Sequence, residues 1–216
     1  MPDVPDSKHA GADAKLDPAE GSAPAPSARE RLIATGLDLF YRRGFHAVGL
    51  DQIIGEAATT KTTFYKYFES KDELALSCVQ TRDESWRVRF PALLQERAGD
   101  DPVARLREVF RVWKDWLADV HFNGCLFIHA CSEFPDADDP IHRAARANVL
   151  ALREHIAELA DHAGFEDPDG FALQYSLLMN GSIVLEVIDR QQTAAEAAGA
   201  IAEALIERAL LTAIDD

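Results

Sequence analysis

The chain has 216 residues, of which 47% are hydrophobic and 27% are charged, and its formal net charge at pH 7 is −15. This length suits one or two domains with a sizeable core, and we expect no transmembrane span and no secretory signal. Three cysteines at irregular spacing exclude a disulfide framework and a strong zinc signature, which indicates a reducing, cytoplasmic compartment.

The acidic charge is unevenly distributed. Residues 1–27 carry 2 basic and 5 acidic groups, residues 28–75 carry 7 of each, and residues 76–216 carry 13 basic and 25 acidic groups. The overall charge argues against a nucleic-acid partner. The segment 28–75 has no net charge and nevertheless has local Lys and Arg donors for phosphates. The acidic residues outside it are expected to weaken only non-specific DNA binding.

Residues 1–27 are rich in Ala, Pro, Asp and Ser and are predicted to form a disordered tail. Beyond them, helix starts are indicated by Ser or Thr followed three residues later by Glu or Gln, and by proline in a first turn. The starts are Ser27, Gly49 (weaker), Ser70, Asp101, Asp139 and Thr193, with glycine stops at Gly44 and Gly164.

Apolar periodicity predicts about nine helices and no strand. The first helix buries a stripe that includes Leu32, Ile33 and Phe40. The others are predicted at 50–57, 61–68, 71–97, 102–118, 125–134, 140–163, 169–190 and 193–213. The fold class is therefore all-α, with an N-terminal three-helix domain at 28–74 and a larger helical domain at 75–216.

The segment 48–74 carries the clearest functional pattern, two short helices separated by a turn. Helices this short do not persist alone in water, so they must pack on the first helix. The outer face of the second one is crowded with hydroxyls and lysines, as expected of a helix that reads a major groove. The proposed DNA contacts are Gly49, Thr60, Lys61, Thr62, Thr63, Tyr65, Lys66, Tyr67 and Lys71. The alternative is a solvated face of an ordinary bundle.

The sequence resembles the TetR family of regulators in three features, which are the segment RLIATGLDLFYRRGF, an Ile-x-x-x-Ala spacing and the segment KTTFYKYFESKDEL. The resemblance implies a helix-turn-helix at about 49–68, a helical domain that binds a small ligand, and a homodimer formed by the last two helices. Most members are repressors that the ligand releases from DNA. Three positions differ from the family pattern: Ala58 and Thr59 in the turn, and Thr62 in the recognition helix. Glycine is favoured in the turn, so Ala58 predicts strain or a shifted turn.

The larger domain is dense in aromatic residues, and some are expected to line an apolar cavity for a small-molecule effector. The candidates are Trp86, Phe90, Phe110, Trp113, Cys125, Phe127, His129 and Met179. The alternative is that they are ordinary core. No cofactor and no metal site are expected, because the histidines lack ligand spacing.

The last two helices carry small and apolar residues at helical spacing, which suits helix pairing between two protomers. The proposed interface residues are Tyr175, Leu178, Ser182, Leu185, Ile201 and Leu205. The alternative is that these residues pack within one chain.

Together these features predict a DNA-binding regulator, most simply a repressor released from its operator by a small apolar or aromatic ligand. One alternative is a redox-sensing regulator that uses Cys125 and Cys131, and another is a helical interaction protein. An enzyme is not expected, because the sequence has no nucleophile elbow, phosphate loop or metal-ligand spacing.

Overall fold

The structure, a computed structural model, describes residues 25–212. Residues 1–24 of the predicted tail and the last residue of the predicted final helix, 213, lie outside this range. Within it the chain forms nine helices and no strand, which confirms the all-α prediction. The helices are α1 (Ala28–Arg43), α2 (Leu50–Glu56), α3 (Lys61–Tyr67), α4 (Lys71–Ala98), α5 (Pro102–Leu117), α6 (Leu126–Glu133), α7 (Pro140–His162), α8 (Pro168–Asp189) and α9 (Ala194–Thr212).

The first three helices pack as a small N-terminal head. α1 begins at a capping box, in which Ser27 Oγ accepts from the Glu30 N–H at 3.2 Å and the Glu30 carboxylate accepts from the Ser27 N–H at 2.7 Å. Leu32, Phe40 and Phe64 are fully buried in the shared core. Each such burial contributes about 1.5–3 kcal/mol. This packing holds α2 and α3, which at seven residues each are too short to persist alone.

α4 runs for 28 residues from the head into the C-terminal body. Near its start it packs closely against α1, where a Cβ at Gly36 would lie 2.9 Å from Cys78 Sγ. Farther along it packs against α5 and α7. Pro91 lies inside the helix and removes one backbone hydrogen bond, since proline has no N–H. α4 therefore contributes to the core of both head and body.

The body is formed by α5–α9, with α8 packed between α7 and α9 and with α5 beneath them. Its core is aromatic. Trp113 and Trp116 meet edge to face at 5.3 Å between ring centroids, and Phe110 lies 5.0 Å from Tyr175. The Tyr175 hydroxyl donates to the Leu106 carbonyl inside this core. The body is thus a packed bundle in its own right.

α8 is apolar enough to cross a membrane by length and composition alone, with 22 residues and a mean hydropathy of 1.4 over its best window. In the fold, one of its faces is buried against neighbouring helices through Met179 and Ile183. The opposite face leaves Leu177 65% exposed and Ile188 69% exposed. α8 is therefore packed against neighbouring helices on one side and uncovered on the other.

Candidate DNA interface and effector region

The turn between α2 and α3 contains a residue in the left-handed conformation. The Thr59 N–H donates to the Ile54 carbonyl at 3.1 Å, and the Ala58 N–H donates to the Gly55 carbonyl at 3.2 Å. These two bonds make a Schellman ending for α2. Ala58 has φ 48°, which a glycine would adopt without strain. The turn is therefore not shifted, and alanine bears a cost of about 1–2 kcal/mol.

Arg31 of α1 fixes this turn from the side. Its Nε donates to the Ala57 carbonyl at 3.2 Å and its Nη2 to the Ala58 carbonyl at 3.5 Å. Nη1 also donates to the Pro26 carbonyl at 3.0 Å. Carbonyls at a helix end lack partners within the helix, and the planar guanidinium supplies several donors at once. The sequence pattern did not single out Arg31, because it lies 26 residues before Ala57 along the chain.

The polar residues of α3 face away from the core. Phe64 is fully buried, whereas Tyr65 is 57% exposed and Lys66 and Thr62 are exposed beside it. Lys66 Nζ lies 5.5 Å from the centroid of the Tyr67 ring, a cation–π distance. These side chains form an outward surface of hydroxyls, amines and aromatic edges.

The start of α3 is held by its own threonines. Thr60 Oγ1 accepts from the Thr63 N–H at 3.1 Å, and the two threonine hydroxyls lie 2.9 Å apart. Lys61 Nζ pairs with Asp51 Oδ1 at 2.8 Å, and this contact raises the pKa of Lys61. Because both side chains are exposed, the pair contributes little to stability and leaves Lys61 within reach of a phosphate.

Lys71 donates to the protein's own backbone, and the phosphate contact proposed for it stays a prediction. Its Nζ donates to the Phe45 carbonyl at 2.9 Å and to the Val48 carbonyl at 3.1 Å. Two of its three N–H donors are thereby used. Lys71 ties the start of α4 to the loop between α1 and α2. Gly49 is exposed at the N-cap of α2 and has no side chain to contribute.

A carboxylate from the body holds the same loop. Glu133, at the end of α6, accepts from the Phe45 N–H at 2.9 Å and from the His46 N–H at 2.8 Å. A Cβ on Gly44, whose φ is 84°, would lie 2.8 Å from Glu133 Oε1, so glycine leaves room for the carboxylate. Sequence reasoning missed Glu133 because it is 87 residues from His46.

Asn123 makes a second polar contact between body and head. Its backbone N–H donates to the Tyr41 hydroxyl at 2.8 Å, and its Nδ2 donates to the Tyr41 carbonyl at 2.7 Å. Burial is the main cause that raises the pKa of Tyr41, so its hydroxyl stays protonated. The end of α1 and the loop after it are therefore both fastened to the body.

The eight residues proposed for an effector cavity lie in three neighbourhoods. The first is on α4, where Trp86 and Phe90 stack at 4.9 Å. The second is around α5, where Trp113 Nε1 donates to the Met179 carbonyl of α8 at 3.3 Å and Phe110 packs against Gly199 of α9. The third group, Cys125, Phe127 and His129, belongs to α6 and its N-cap. All but the half-buried His129 are at most 6% exposed.

Cavities of about 40, 170 and 460 Å³ open among the described residues, and the walls of these three are formed by other side chains. The smallest lies beside Tyr41 and Trp116, the next beside Phe171 and Arg208, and the largest beside Glu154. In this conformation seven of the eight proposed residues are buried in the core, and His129 is half-buried. Their part in effector binding therefore stays a prediction.

The two cysteines proposed for a redox switch are poorly placed for reactivity. Cys125 is 2% exposed at the N-cap of α6, and burial raises the pKa of the Cys131 thiol. The thiolate is the reactive form, so a raised pKa lowers reactivity. Burial also lowers the pKa of His129, which removes a cation that would stabilise a thiolate.

The outer surfaces of α8 and α9 carry an uncovered apolar face. Its members are Leu173, Leu177, Val184, Leu185, Val187 and Ile188 on α8, with Ile201 and Leu211 on α9. Large exposed apolar patches of this kind mark sites of protein association. We call these eight residues the α8–α9 face.

Of the six residues proposed for the dimer interface, some are exposed on the α8–α9 face and others are buried within the chain. Leu185 is 51% exposed and Ile201 is 52% exposed on the α8–α9 face, while Leu178 and Leu205 are half-buried. Tyr175 and Ser182 are 0% and 2% exposed, which corrects their assignment to this surface. Both hydroxyls donate to backbone carbonyls inside the chain, so neither side chain is free to meet a partner.

Two family models match the chain. Residues 32–78 match the model of bacterial regulatory proteins of the tetR family, and residues 102–202 match a tetracyclin repressor-like C-terminal domain. The first range contains the whole of α2 and α3 with their turn, and the second contains α5–α8. Both parts of the fold thus have counterparts in the same kind of protein.

Individual relatives agree with the family models. The transcriptional regulator AcuR of Cereibacter sphaeroides is 30% identical over 180 residues, which cover 76% of this chain and 78% of that protein. The transcriptional repressor NemR of Escherichia coli is 28% identical over 133 residues, 60% of this chain and 67% of that protein. A crystal structure of a TetR-family regulator from Streptomyces coelicolor superposes with a TM-score of 0.80 at 28% identity, covering 85% of this chain and 96% of that one. The chain belongs to the TetR family of DNA-binding transcriptional regulators.

Proposed function

We propose that the protein is a cytoplasmic, homodimeric repressor that a small apolar or aromatic effector releases from its operator. The observation that carries this proposal is the outward face of α3. A seven-residue helix anchored by the fully buried Phe64 presents Tyr65 and Lys66 to solvent. Repression is favoured as the sign of regulation because NemR, which is similar to this chain, is named a repressor.

The α3 surface offers both kinds of contact that operator recognition needs. Lys66 and Lys61 supply charge for phosphates, which positions a protein on DNA and gives salt-dependent affinity. The hydroxyls of Tyr65 and Thr62 are exposed and suit base edges or phosphates. The family model that covers α2 and α3 supports the use of this surface for DNA.

The α8–α9 face supports a homodimer. Soluble proteins rarely leave so many large apolar side chains exposed together, and a two-fold pair would cover the face of each protomer with that of its partner. Two heads related by a two-fold axis match an operator whose half-sites are separated by whole helical turns.

The effector is proposed to act by changing the spacing or tilt of the heads. A ligand that binds one arrangement of the body better than another shifts the population toward it. Three connections between body and head are available for this. They are the continuous helix α4, the contact of Glu133 with the loop after α1, and the contact of Asn123 with Tyr41.

A gel shift with the DNA that flanks the gene tests the proposal. The protein should give a sequence-specific, salt-sensitive complex, and replacing Tyr65 and Lys66 together by alanine should abolish it while the dimer persists. Lys114→Ala removes an exposed cation from α5 and is the control that should bind normally. Absence of a specific complex at low salt would overturn the proposal, and binding by the double variant would overturn the role of α3.

A further inference from the structure

Three buried polar atoms at the contact of α4 with α7 have no hydrogen-bond partner within residues 25–212. They are Nε1 of Trp86 on α4, and Oδ1 of Asn148 and Nε2 of His155 on α7. Asn148 is fully buried and Trp86 is 5% exposed. A buried polar group that lacks a partner has lost its hydrogen bonds to water without replacement, so such atoms are rare and require an explanation.

Neighbouring contacts place these atoms along one seam. Asn148 Nδ2 donates to Asp83 Oδ1 at 2.6 Å, and the ring centroids of Phe90 and His155 lie 6.4 Å apart. Asp83 and Phe90 are about two turns apart on α4, as Asn148 and His155 are on α7. Trp86 lies between Asp83 and Phe90 on the same face of α4, the face whose two ends contact Asn148 and His155.

The seam offers complementary hydrogen-bonding groups. The indole Nε1 of Trp86 only donates, and Oδ1 of Asn148 only accepts. The orientation of the Asn148 amide is fixed, because its nitrogen faces a carboxylate oxygen of Asp83. That carboxylate is itself held by Arg87 Nε at 2.8 Å. Burial is the main cause that lowers the pKa of His155, so the third group is a neutral ring.

The surroundings suit a flat ligand. The rings of Trp86 and Phe90 stack with 18° between their planes, so the unpaired indole nitrogen lies in aromatic surroundings. Pro91 follows Phe90 directly and interrupts the backbone bonding of α4 at this level. Helices bend most readily where such a bond is missing, which gives the seam a place to open.

We propose that the seam of Trp86, Asn148 and His155 binds an uncharged planar molecule whose head group both donates and accepts hydrogen bonds, of which a primary carboxamide is the simplest case. The inference rests on the proposed effector response and names the chemical class of the effector. A carboxamide oxygen accepts from Trp86 Nε1, and its N–H donates to Asn148 Oδ1. A carboxylate has no proton to give to Asn148, and a hydrocarbon leaves both atoms unpaired.

Calorimetric titration of the full chain tests this class with three probes that share a phenyl ring. Benzamide carries the proposed head group, benzoate is its charged analogue, and toluene has no polar group. Benzamide should bind saturably, and the other two at least about tenfold more weakly, since loss of one buried hydrogen bond weakens binding by about that factor. Equal or tighter binding of benzoate or toluene, or no saturable binding of benzamide, would overturn the proposal.

Two variants localise the binding. Trp86→Phe keeps an aromatic ring at this position and removes the donor, and it should weaken benzamide binding by about tenfold. Trp116→Phe is the matched control, because Trp116 is also buried with an unpartnered Nε1 but lies elsewhere, against Phe122. It should leave benzamide affinity within about twofold, the scatter of a distant substitution. Equal effects of the two variants would show that the seam is not the site.

Thermal unfolding with and without ligand gives a second measurement. Benzamide should raise the melting temperature of the parent protein and raise that of Trp86→Phe less, because a ligand that binds the folded state stabilises it in proportion to its affinity. An equal rise in the two proteins would overturn the proposal. A gel shift on the same samples separates the two proposals, since DNA binding without benzamide binding overturns only the effector class.

Discussion

Glu133 and His46 bind each other through the backbone and the side chain of both residues. Glu133 Oε2 accepts from the His46 N–H at 2.8 Å, and His46 Nε2 lies 2.8 Å from the Glu133 carbonyl oxygen. A carbonyl oxygen only accepts, so His46 Nε2 carries the proton in this contact. The His46 ring also packs on Phe134, 4.9 Å between centroids. One residue belongs to the body and the other to the loop before the helix-turn-helix, so the pair fixes the head on the end of α6.

Glu133→Gln is therefore expected to weaken operator binding. The amide replaces one acceptor oxygen with an NH₂ group that faces a backbone N–H donor, and the loop loses a charge-assisted bond worth about 1.5–3 kcal/mol. Operator affinity, measured by fluorescence anisotropy, should fall by about tenfold, and hydrogen exchange at Phe45 and His46 should accelerate. Glu154→Gln, an exposed change on α7, should alter neither. Unchanged exchange at the two amides would refute the coupling.

Ala58→Gly should stabilise the head. The substitution removes the strain of a left-handed alanine, which stabilises the folded state by about 1–2 kcal/mol. Glycine also raises the entropy of the unfolded chain, which opposes this gain by about 0.4–1 kcal/mol. The net expectation is a gain of about 0.5–1 kcal/mol in the free energy of unfolding, measured by urea denaturation. Ala57→Gly is the control, since Ala57 has φ −75° and glycine can only destabilise it. A lower midpoint for Ala58→Gly than for the parent protein would mean that the turn is not strained.

Lys71 and Lys66 should differ in how they affect the salt dependence of DNA binding. Lys66 faces solvent on α3, so Lys66→Met should reduce the slope of log affinity against log salt by about one. Lys71 donates to two loop carbonyls, so Lys71→Met should leave the slope unchanged and lower stability by about 1 kcal/mol. A reduced slope for Lys71→Met would show that its remaining N–H donor contacts a phosphate.

The helices could be predicted from the sequence because their signals are local. Periodic apolar residues and caps lie within a few positions of the ends they determine. The prediction at 71–97 differs from α4, Lys71–Ala98, by one residue. Likewise, Ala58 alone indicated an unusual turn, because the need for a left-handed backbone conformation concerns a single residue.

The parts that could not be predicted depend on contacts between distant segments. Glu133 reaches His46 across 87 residues, and no pattern near either residue indicates the other. On α8 the difficulty is different. The helix is apolar on both sides, so periodicity cannot tell the buried Tyr175 from the exposed Leu185.

Leu185→Asp should convert the proposed homodimer into a monomer. Leu185 is 51% exposed on the α8–α9 face, and a charge there would be buried without a partner in a two-fold interface. Sedimentation velocity should show the monomer, and operator affinity should fall because one head reads only one half-site. Val120→Asp introduces the same charge at a valine that is 91% exposed beyond the end of α5, and it should remain dimeric. A dimeric Leu185→Asp would place the interface elsewhere.

The stability of the fold should decrease as the pH falls below about 6.5. Burial, aided by Arg105, lowers the pKa of His155 from 6.5, and the Glu158 carboxylate opposes this only in part. Burial likewise lowers the pKa of His129. Between the folded and unfolded pKa values the unfolded chain binds more protons, so the stabilisation is complete above the unfolded pKa and is lost as the pH falls through the folded pKa.

Urea midpoints at about pH 7.5 and about pH 5.5 measure this loss, since histidine titrates between them. Carboxylates also titrate at the lower pH, so the informative quantity is the difference between the parent protein and its variants. Replacing His155 by Gln should reduce the drop in midpoint, and replacing His129 as well should reduce it further. Each variant lacks a ring that must be protonated inside the fold. An unchanged drop in the double variant would mean that neither buried ring controls the acid sensitivity of the body.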